Sequence, residues 1–384
     1  MARRLKTYQT SLGFFDLAVA APSMKAAAQA WGSKTNDRTA LKIVLIVLSA
    51  LIAALFLPSP ALAGSNAPQS CDLPPKAPVL VNVTESGAKG DGKTDDTAAI
   101  QAAIDTVAGS KGTVFLPDGT YMVAVEREQG LNLKSSMTLK LSRSATIKAM
   151  PTKDSHYALL RVAGASNVWI TGGTLEGERD QHRGKSGEWG MGLHIGKGAK
   201  NITVSGLTSR NMWGDGFYVQ DAEDVRFCSV VAENNRRQGM SVIQADGLLV
   251  LNSVFKNTHG TRPSAGIDFE PDKESQEIKK VRIERSKFID NAGPGILVAG
   301  KKARVSQMQM TGNLFRGNRA FKVENAPGVA AGICGNRQSS PQVQTSDGFN
   351  AYSEPVEIVS LQTACGESGF VLNREKRKKN KKGD

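Results

Sequence analysis

Residues 216–238 read GFYVQDAEDVRFCSVVAENNRRQ, and this stretch is one unit of a repeat that extends from Val168 to Val298. Each unit contains two short strand-like segments. The first kind begins, at steps of 34, 23, 23 and 33 residues, at Val168, Ile202, Val225, Leu248 and Val281. The second kind begins with a glycine, at Gly192, Gly216, Gly239, Gly266 and Gly295. A repeat of this length indicates stacked units that share one core and are not stable singly.

The repeat predicts a parallel β-helix. Apolar residues alternate at every second position within each segment, as in a strand with one buried face. Asparagine tolerates the left-handed backbone of a tight corner, and it recurs near segment ends at Asn211, Asn234, Asn257, Asn291 and Asn318. Helical solenoids are excluded, because no unit contains a ten-residue run with helical periodicity. A β-sandwich or propeller is the alternative, but the turn pairs of hairpins are scarce.

The net charge of +13 is concentrated at the two ends of the chain. Residues 1–63 and residues 373–384 each carry +5, so residues 64–372 carry only +3. We therefore expect no nucleic-acid-binding face on the fold. Residues 373–384, NREKRKKNKKGD, are too polar to pack and are predicted to be a disordered basic tail. Contact of this tail with an anionic polymer or a lipid surface stays open.

Residues 42–63 are predicted to be an export signal, and residues 1–41 precede it as an extension without an assigned role. Ile43 to Leu57 is an apolar run interrupted only by Ser49, and PSPALA follows it up to Ala63. The run is short for a membrane span, and its small-residue ending fits a cleavage site. We expect cleavage after Ala63 and a periplasmic, extracellular or envelope-associated protein. An uncleaved signal anchor is the alternative.

Residues 64–372 are predicted to form one domain, because a solenoid can absorb this whole length, and we expect a monomer. Export permits disulfides among the four cysteines, Cys71, Cys228, Cys334 and Cys365. Four cysteines allow three connectivities. We favour Cys334 with Cys365, since both lie in the irregular C-terminal part. The cysteines do not have the paired spacing of a zinc site.

Residues 87–94 read GAKGDGKT, which satisfies the phosphate-loop pattern. Asp91 places a carboxylate inside this loop, and Asp95 and Asp96 follow it, where a triphosphate would be repelled. We therefore expect no nucleotide. Instead, Thr94 or Asp95 is expected to cap a helix with an acidic first turn, and this helix would close the open end of the solenoid. Its apolar side is predicted to contain Ala98, Ile100, Ala103, Ile104 and Val107.

Residues 81–107, VNVTESGAKGDGKTDDTAAIQAAIDTV, and the following GTVFLPDGTYMV resemble the N-terminal signature of a known superfamily. It is the pectate lyase-like right-handed parallel β-helix superfamily, in the branch shared with rhamnogalacturonases and epimerase-like proteins. The resemblance covers residues 78–320. It implies an all-β, right-handed helix that acts on, or binds, acidic or complex polysaccharides. The residue set of polygalacturonase active sites is matched only in part, by Asp215 in GDG and His259 in THG, so simple polygalacturonase activity is not expected.

The repeat also separates core positions from an outward column. The residues one and three positions after each leading glycine are apolar and are predicted to face the core. The residues two positions after it must then point outward, and they are His194, Tyr218, Ser241, Asp268 and Leu297. Neighbouring strands lie about 4.8 Å apart, so the column from His194 to Asp268 spans roughly 14 Å. That length suits several units of a linear polymer.

Further polar residues are predicted to lie beside this column. Glu270 follows Asp268 on the same face, and the preceding turn supplies Asp215, Arg236, Arg237, Gln238 and Arg262. Two insertions in the repeat, residues 177–189 and residues 257–264, open next to the column, where loops on a rigid scaffold build sites. They contribute Asp180, His182, Glu188, Trp189 and His259. Trp189 is suited to stack on sugar rings. The residues predicted to bind substrate are Asp180, His182, Glu188, Trp189, Arg236, Gln238, Ser241, His259 and Arg262.

Glycoside hydrolysis is the first chemistry that fits. It needs two carboxylic groups, and we assign Asp268 and Glu270 as acid and base, with Asp215 in support. Side chains two residues apart on one strand lie roughly 6.5 Å apart, at the short end of the range for inverting enzymes.

A β-eliminating lyase or a C5-epimerase is the second possibility, and a non-catalytic glycan-binding helix of the cell envelope is the third. The lyase or epimerase would remove the proton next to a uronate carboxylate with Tyr218 and His194 as base and acid. Arg236 or Arg237 would neutralise that carboxylate. No cofactor is required, although a lyase could use calcium held by Asp215, Asp268 and Glu270.

Overall fold

The computed structural model describes residues 70–339 apart from residues 72, 127–129, 303 and 327, and three strand segments outside that range. The chain divides into two compact units, residues 1–63 and residues 64–384. In the first unit, strands β1 (Lys6–Leu12) and β2 (Phe15–Ala21) pair as an antiparallel hairpin. The predicted export segment and basic tail lie outside the described residues. Within the described part of the chain, no helix is long and apolar enough to cross a membrane.

The second unit contains helix α1 (Thr97–Val107) and a long series of short strands. Up to residue 176 the strands are β3 (Leu80–Asn82), β4 (Asp91–Asp95), β5 (Thr113–Leu116), β6 (Gly119–Val123), β7 (Leu131–Asn132), β8 (Met137–Leu141), β9 (Ala145–Ala149), β10 (His156–Ala163), β11 (Ser166–Thr171) and β12 (Thr174–Glu176). A 3₁₀ turn, Arg179–Gln181, follows. The next strands are β13 (Trp189–Ser205), β14 (Thr208–Arg210), β15 (Asp215–Cys228), β16 (Val231–Glu233), β17 (Gln238–Leu251), β18 (Val254–Lys256), β19 (Ile267–Phe269), β20 (Ile278–Glu284), β21 (Lys287–Ile289) and β22 (Ile296–Ala299). The series ends with β23 (Arg304–Thr311), β24 (Leu314–Arg316), β25 (Phe321–Glu324), β26 (Gly328–Cys334), β27 (Arg337–Ser339) and β28 (Phe370–Val371).

These strands stack into three parallel faces. Face A contains β7, β10, the first halves of β13, β15 and β17, and then β19, β22 and β25. Face B contains β3, β5, β8, β11, the second halves of the same three long strands, β20, β23 and β26. Face C contains β4, β6, β9, β12, β14, β16, β18, β21, β24 and β27. The predicted parallel β-helix is confirmed.

The predicted register within face A is confirmed as well. Leu193, Phe217, Met240, Ile267 and Ile296 are paired from strand to strand and are fully buried. Burial of each such side chain contributes about 1.5–3 kcal/mol. The core is therefore a set of aligned apolar rows, and the residues between them must project away from it.

The asparagine prediction is right for three corners and wrong for two. Positive φ angles of 56°, 53° and 57° occur at Asn211, Asn234 and Asn257. In the next two coils the corner is one residue earlier, at Asp290 and Gly317. Asn291 and Asn318 instead follow the corner, at the position of Asn235. The buried amide of Asn291 donates to the Phe255 carbonyl at 3.0 Å and accepts from the Thr258 N–H at 3.2 Å. Residue type alone did not distinguish these neighbouring positions.

Helix α1 begins later than predicted. Its N-cap is Asp96, not Thr94 or Asp95, and its first turn contains no acidic residue, because residues 91–95 form β4. Ala98 is exposed. The other predicted apolar positions are buried against β3, β5 and β7, and they are Ile100, Ala103, Ile104 and Val107.

The GAKGDGKT loop uses its backbone amides internally. Asp96 accepts from the N–H groups of Lys89 and Gly90 at 2.6 and 3.1 Å. Asp91 accepts from those of Lys93 and Thr94 at 2.9 and 2.8 Å. A phosphate-binding loop offers such donors to its ligand, whereas here two carboxylates occupy them.

A disulfide joins Cys71 to Cys228, with their Cα atoms 6.1 Å apart. It joins the segment before β3 to the end of β15. No local sequence pattern favours this pair over the other possible pairs. Cys365 lies outside the described residues, so its pairing with Cys334 stays a prediction. Of the three possible connectivities, the one that contains the Cys71–Cys228 bond also pairs Cys334 with Cys365.

Candidate active site

The predicted column lies on face A. His194, Tyr218, Ser241, Asp268 and Leu297 are direct partners on successive strands. The ladder continues to Arg161 and Asn132 on one side and to Lys322 on the other. The predicted solvent exposure, however, is wrong for most of the column: Ser241, Asp268 and Leu297 are 0%, 1% and 2% exposed, and Tyr218 is buried as well. A second layer of polar side chains lies over Ser241 and Asp268.

Arg237 organises that layer. Its Nη1 donates to Asp215 Oδ2 at 3.0 Å and to Ser241 Oγ at 3.2 Å. Its Nη2 donates to both oxygens of Glu270, at 2.8 and 2.9 Å. Glu188 lies 3.6 Å from Nε. We name Asp215, Glu188, Asp268 and Glu270 the carboxylate cluster; charge-assisted pairs of this kind are strong when buried.

Burial favours the protonated forms of Asp215, Asp268 and Glu270. It raises the pKa of Asp215 to about 7 against the opposing effect of Arg237, and Asp215 Oδ1 has no hydrogen-bond partner. Burial, reinforced by Glu270, raises the pKa of Asp268 well above its ordinary value. Burial also raises the pKa of Glu270, and Arg237 opposes this. Asp215 can therefore hold and release a proton near neutral pH.

Asp268 and Glu270 make different contacts in this layer. Glu270 accepts from Arg237 Nη2 with both carboxyl oxygens, whereas Asp268 Oδ2 accepts from Gln238 at 2.8 Å and Asp268 Oδ1 has no hydrogen-bond partner. Their predicted separation and their roles as acid and base stay predictions.

Gln238 holds Asp268 in place. Its side chain is fully buried, accepts from the Ala265 N–H at 2.7 Å and donates to Asp268 Oδ2 at 2.8 Å. Both ends of the amide are thus hydrogen-bonded within the protein. Gln238, which was predicted to bind substrate, instead contacts Asp268 and orients its carboxyl group.

His182 and Arg236 hold the 177–189 insertion. The His182 side chain is fully buried, with Nδ1 3.0 Å from Glu178 Oε1, and its ring stacks on Trp213 at 3.9 Å. The Arg236 guanidinium lies 3.7 Å from the Trp213 ring and donates to the Gly187 carbonyl at 2.8 Å. These contacts hold the end of the insertion, where Glu188 lies beside Arg237.

Sequence reasoning missed Tyr157 and Glu178, which complete this support. The Tyr157 hydroxyl donates to Glu178 Oε1 at 2.5 Å, and Glu178 is buried. Tyr157 comes before the repeat, which begins at Val168, so the register of the repeat could not place its side chain. The i to i+4 spacing of Glu178 and His182 was the only available signal.

The remaining predicted residues lie on the surface of the insertions. The indole of Trp189 is 44% exposed and meets the His156 ring edge-on at 6.1 Å. Asp180 lies 4.0 Å from Arg179, and His259 Nδ1 is 2.8 Å from the Asn257 carbonyl. Arg262 is exposed. Their predicted contacts with substrate stay predictions.

Beyond Tyr218 the column borders a cavity of about 130 Å³. His194 lies between them, and its ring meets the Tyr218 ring edge-on at 5.1 Å. Burial, and then Arg161, His156 and Lys197, lower the pKa of His194 to about 4, so the imidazole is neutral at pH 7. Burial and Glu270 raise the pKa of Tyr218, which keeps its proton. Tyr218 and His194 could therefore exchange protons with a substrate as acid and base.

Among the described residues, no group of three or more His, Cys, Asp or Glu side chains could hold a metal ion, and calcium binding by Asp215, Asp268 and Glu270 stays a prediction. The Arg237 guanidinium lies between Asp215 and Glu270 and provides the positive charge there.

Comparisons with known proteins match the chain in two adjoining parts. The model of the family "Rhamnogalacturonase A/epimerase, pectate lyase-like" matches residues 80–140, and that of "Right handed beta helix region" matches residues 126–270. The uncharacterized protein YclG of Bacillus subtilis is 26% identical in an alignment of 352 positions that covers 78% of this chain and 59% of YclG. Mannuronan C5-epimerase AlgE4 of Azotobacter vinelandii is 35% identical in an alignment of 189 positions that covers 46% of this chain and 33% of AlgE4.

The chain thus spans less than two thirds of the length of these relatives. Among solved structures, the polygalacturonase of Erwinia carotovora superposes with a TM-score of 0.57 at 15% identity, covering 72% of this chain and 80% of that one. A likeness at this identity concerns the fold. The two family matches and the three described faces support placing residues 80–270 in the pectate lyase-like superfamily of right-handed parallel β-helix proteins.

Proposed function

We propose that the protein is a polysaccharide-active enzyme that hydrolyses glycosidic bonds of a complex or uronate-containing glycan bound along face A. The observation that carries this proposal is the buried pair of Asp268 and Glu270 beside Arg237. Glycoside hydrolysis needs a protonated carboxylic acid that can reach the substrate and protonate the leaving glycosidic oxygen, and Glu270 is the member of this pair that reaches solvent.

Each residue has a definite part in this reaction. Glu270, whose side chain is 22% exposed, donates the proton to the glycosidic oxygen, and the buried Asp268, whose pKa burial and Glu270 raise, supplies the proton that replaces it. Glu188, at the Nε side of Arg237 and 34% exposed, accepts a proton from the water that attacks the anomeric carbon. The carbon–oxygen bond breaks as the new one forms, so one water is consumed for each bond cleaved.

A second candidate reaction is β-elimination or C5-epimerisation of a polyuronate. It is supported by the 35% identity to mannuronan C5-epimerase AlgE4 over 189 residues, and by Tyr218 and His194, which lie in contact and are both neutral at pH 7. Such a reaction would use these two residues as acid and base, and would leave Asp268 in a supporting role.

The products distinguish the reactions. The full-length protein would be incubated with uronate and neutral polysaccharides. A hydrolase gives new reducing ends without unsaturation, a lyase gives ultraviolet-absorbing unsaturated ends, and an epimerase changes uronate stereochemistry without cleavage. Binding without any of these products supports the glycan-binding alternative and contradicts the enzyme proposal.

Variants then test the assigned residues. Asp268→Asn and Glu188→Gln should each lower hydrolysis at least 100-fold, because acid or base catalysis contributes about 10²–10⁴-fold. The matched control is Asp246→Asn, which alters a surface carboxylate paired with Lys280 at 2.8 Å. Retained turnover in Asp268→Asn with loss in His194→Gln would instead support the lyase or epimerase. We also propose export, which a search for the mature protein outside the cytoplasm would test.

A further inference from the structure

The segment that precedes β3 is attached to face B at two points. Cys71 is bonded to Cys228 at the end of β15, with the two Cα atoms 6.1 Å apart. The Val79 carbonyl accepts from the Thr113 N–H at the start of β5, at 2.8 Å. We name Cys71 and residues 73–79 the N-terminal strap. Because β5 and β15 belong to the same face, the strap must pass from one of these strands to the other.

The strap has little slack between its two attachments. On face B, β8, β11 and β13 lie between β5 and β15, so four strand spacings amount to roughly 19 Å. Val79 follows Cys71 by eight residues, and a polyproline chain of that length spans about 25 Å. Pro74, Pro75 and Pro78 favour this extended conformation, because their rings fix φ. The strap therefore crosses the strands of face B and does not form a loop away from them.

One row of side chains on face B runs between the same two attachments. The row consists of direct partners on successive strands, and they are Thr113, Thr138, Trp169, Thr203 and Arg226. These residues alternate with core residues, so their side chains project away from the core. Thr113, Thr138 and Thr203 are nevertheless only 7%, 3% and 2% exposed. A segment that lies over the row explains this burial, and the path of the strap follows the row from Thr113 to the neighbourhood of Cys228.

The strap itself buries little apolar surface. Leu73 and Val79 are 88% and 43% exposed, and Pro75, Lys76 and Pro78 are exposed as well. Ordering a chain costs conformational entropy, which so few apolar contacts do not offset. The covalent bond at Cys71 is therefore needed to hold this end of the strap on face B.

We propose that the N-terminal strap is a redox-fastened clamp, which covers this row of face B when the Cys71–Cys228 bond is formed and leaves it when the bond is reduced. The fastened strap holds the coils from β5 to β15 together from outside. One of them is the coil of β15, which carries Asp215 and Tyr218.

Fastening is a thiol–disulfide exchange. The thiols of Cys71 and Cys228 lose two protons and two electrons and form one S–S bond. A protein disulfide or a small-molecule disulfide takes up both protons and both electrons and becomes two thiols. Such oxidants are typical of compartments outside the cytoplasm, so the strap would be open on a reduced chain and fastened on an exported one.

Limited proteolysis by trypsin tests the state of the strap at Lys76, which is exposed and precedes Ala77. In the oxidised full-length protein, cleavage after Lys76 should be slow, because a held segment does not open to fit a protease. Dithiothreitol should accelerate it roughly tenfold or more, since cleavage follows the population of the open segment. Cys71→Ser should show the fast rate without reductant. Cleavage after Arg319, an exposed residue far from the strap in sequence, should stay unchanged, and mass spectrometry measures both sites.

The matched control is Cys334→Ser combined with Cys365→Ser, because dithiothreitol would also reduce a bond between these two cysteines. This variant should keep Lys76 protected until reductant is added. Equal cleavage after Lys76 with and without dithiothreitol would overturn the clamp. Equal acceleration at Lys76 and Arg319 would also overturn it, since reduction would then open the whole helix. The wild-type protein in dithiothreitol answers for Cys71→Ser if that variant does not fold.

Reoxidation tests the redox step. After dithiothreitol is removed, oxidised glutathione should restore the slow cleavage after Lys76 in the wild-type protein and not in Cys71→Ser. Failure to restore protection in the wild-type protein would reject reversible fastening. The outcome does not depend on the proposed hydrolysis: if the strap is fastened and released as expected and no glycan is cleaved, the clamp stands and the hydrolase is rejected.

Discussion

Replacement of Arg237 by methionine tests the electrostatic account of the site. Methionine keeps the apolar stem but removes the guanidinium that contacts Asp215 and Glu270 at 3.0 and 2.8 Å. Removing one partner of a buried ion pair costs about 3–5 kcal/mol, because the other charge remains buried and unpaired. We expect a loss of this size at pH 8.

The loss should be smaller at pH 5, and the sign follows from the pKa shifts. Asp215, Asp268 and Glu270 all have pKa values raised above those of the unfolded chain. Their contribution to stability is fully present below pH 4 and is lost as the pH rises through the folded value, about 7 for Asp215. Without Arg237 their pKa values rise further. The carboxyl groups then carry less uncompensated charge at pH 5 than at pH 8, so the loss at pH 5 falls towards that of the missing hydrogen bonds, about 1–2 kcal/mol.

Urea unfolding at both pH values, followed by circular dichroism and tryptophan fluorescence, measures the effect. Coincident transitions by the two probes are required before free energies are compared. The control is Arg210→Met, which opens a surface pair with Glu176 at 2.7 Å and should cost at most about 1 kcal/mol at either pH. An Arg237→Met loss that is the same at pH 5 and pH 8, or no larger than that of the control, would refute the reasoning.

Three further outcomes are expected. Phe288→Ala should lower the free energy of unfolding by about 3–5 kcal/mol in urea titrations, because its ring stacks between Phe255 and Phe315 at 5.3 and 4.9 Å; a loss below 1 kcal/mol would contradict this packing. Cys228→Ser should cost about 2–5 kcal/mol by opening the bond to Cys71, and dithiothreitol should destabilise the wild-type protein more than the variant. Glycan turnover should persist in EDTA, since Arg237 supplies the charge in the cluster; loss that calcium restores would show that a metal takes part.

The fold could be predicted because each coil repeats the same sequence pattern. Each leading glycine fixes the same strand position, so the rows that contain Phe217 and Ile267 could be aligned without a structure. Features that occur once were harder. Asn291 has the expected residue type at the wrong corner position, and the bond of Cys71 to Cys228 spans 157 residues that no local pattern connects.

The order of the column residues on face A could be predicted, but their surroundings could not. The order His194, Tyr218, Ser241 and Asp268 follows from the register of the repeat. Alternation along a strand predicts the direction of a side chain, and it does not predict which other side chains cover it. The covering layer depends on Arg237 reaching back across the coils, and that reach is a tertiary contact. Tyr157 was missed for the same reason, since its partner comes from an insertion.

The arrangement of charge argues that this layer serves a function more than stability. A buried ion pair seldom stabilises a protein more than apolar residues of the same volume would, because its desolvation offsets most of the attraction. Here three carboxyl groups, those of Glu188, Asp215 and Glu270, pair with one arginine, and Asp215 and Asp268 each keep an oxygen without a hydrogen-bond partner. The helix core beneath needs none of them, as its apolar rows are continuous on either side. Buried acids that the scaffold does not require are best explained by proton transfer to a bound substrate.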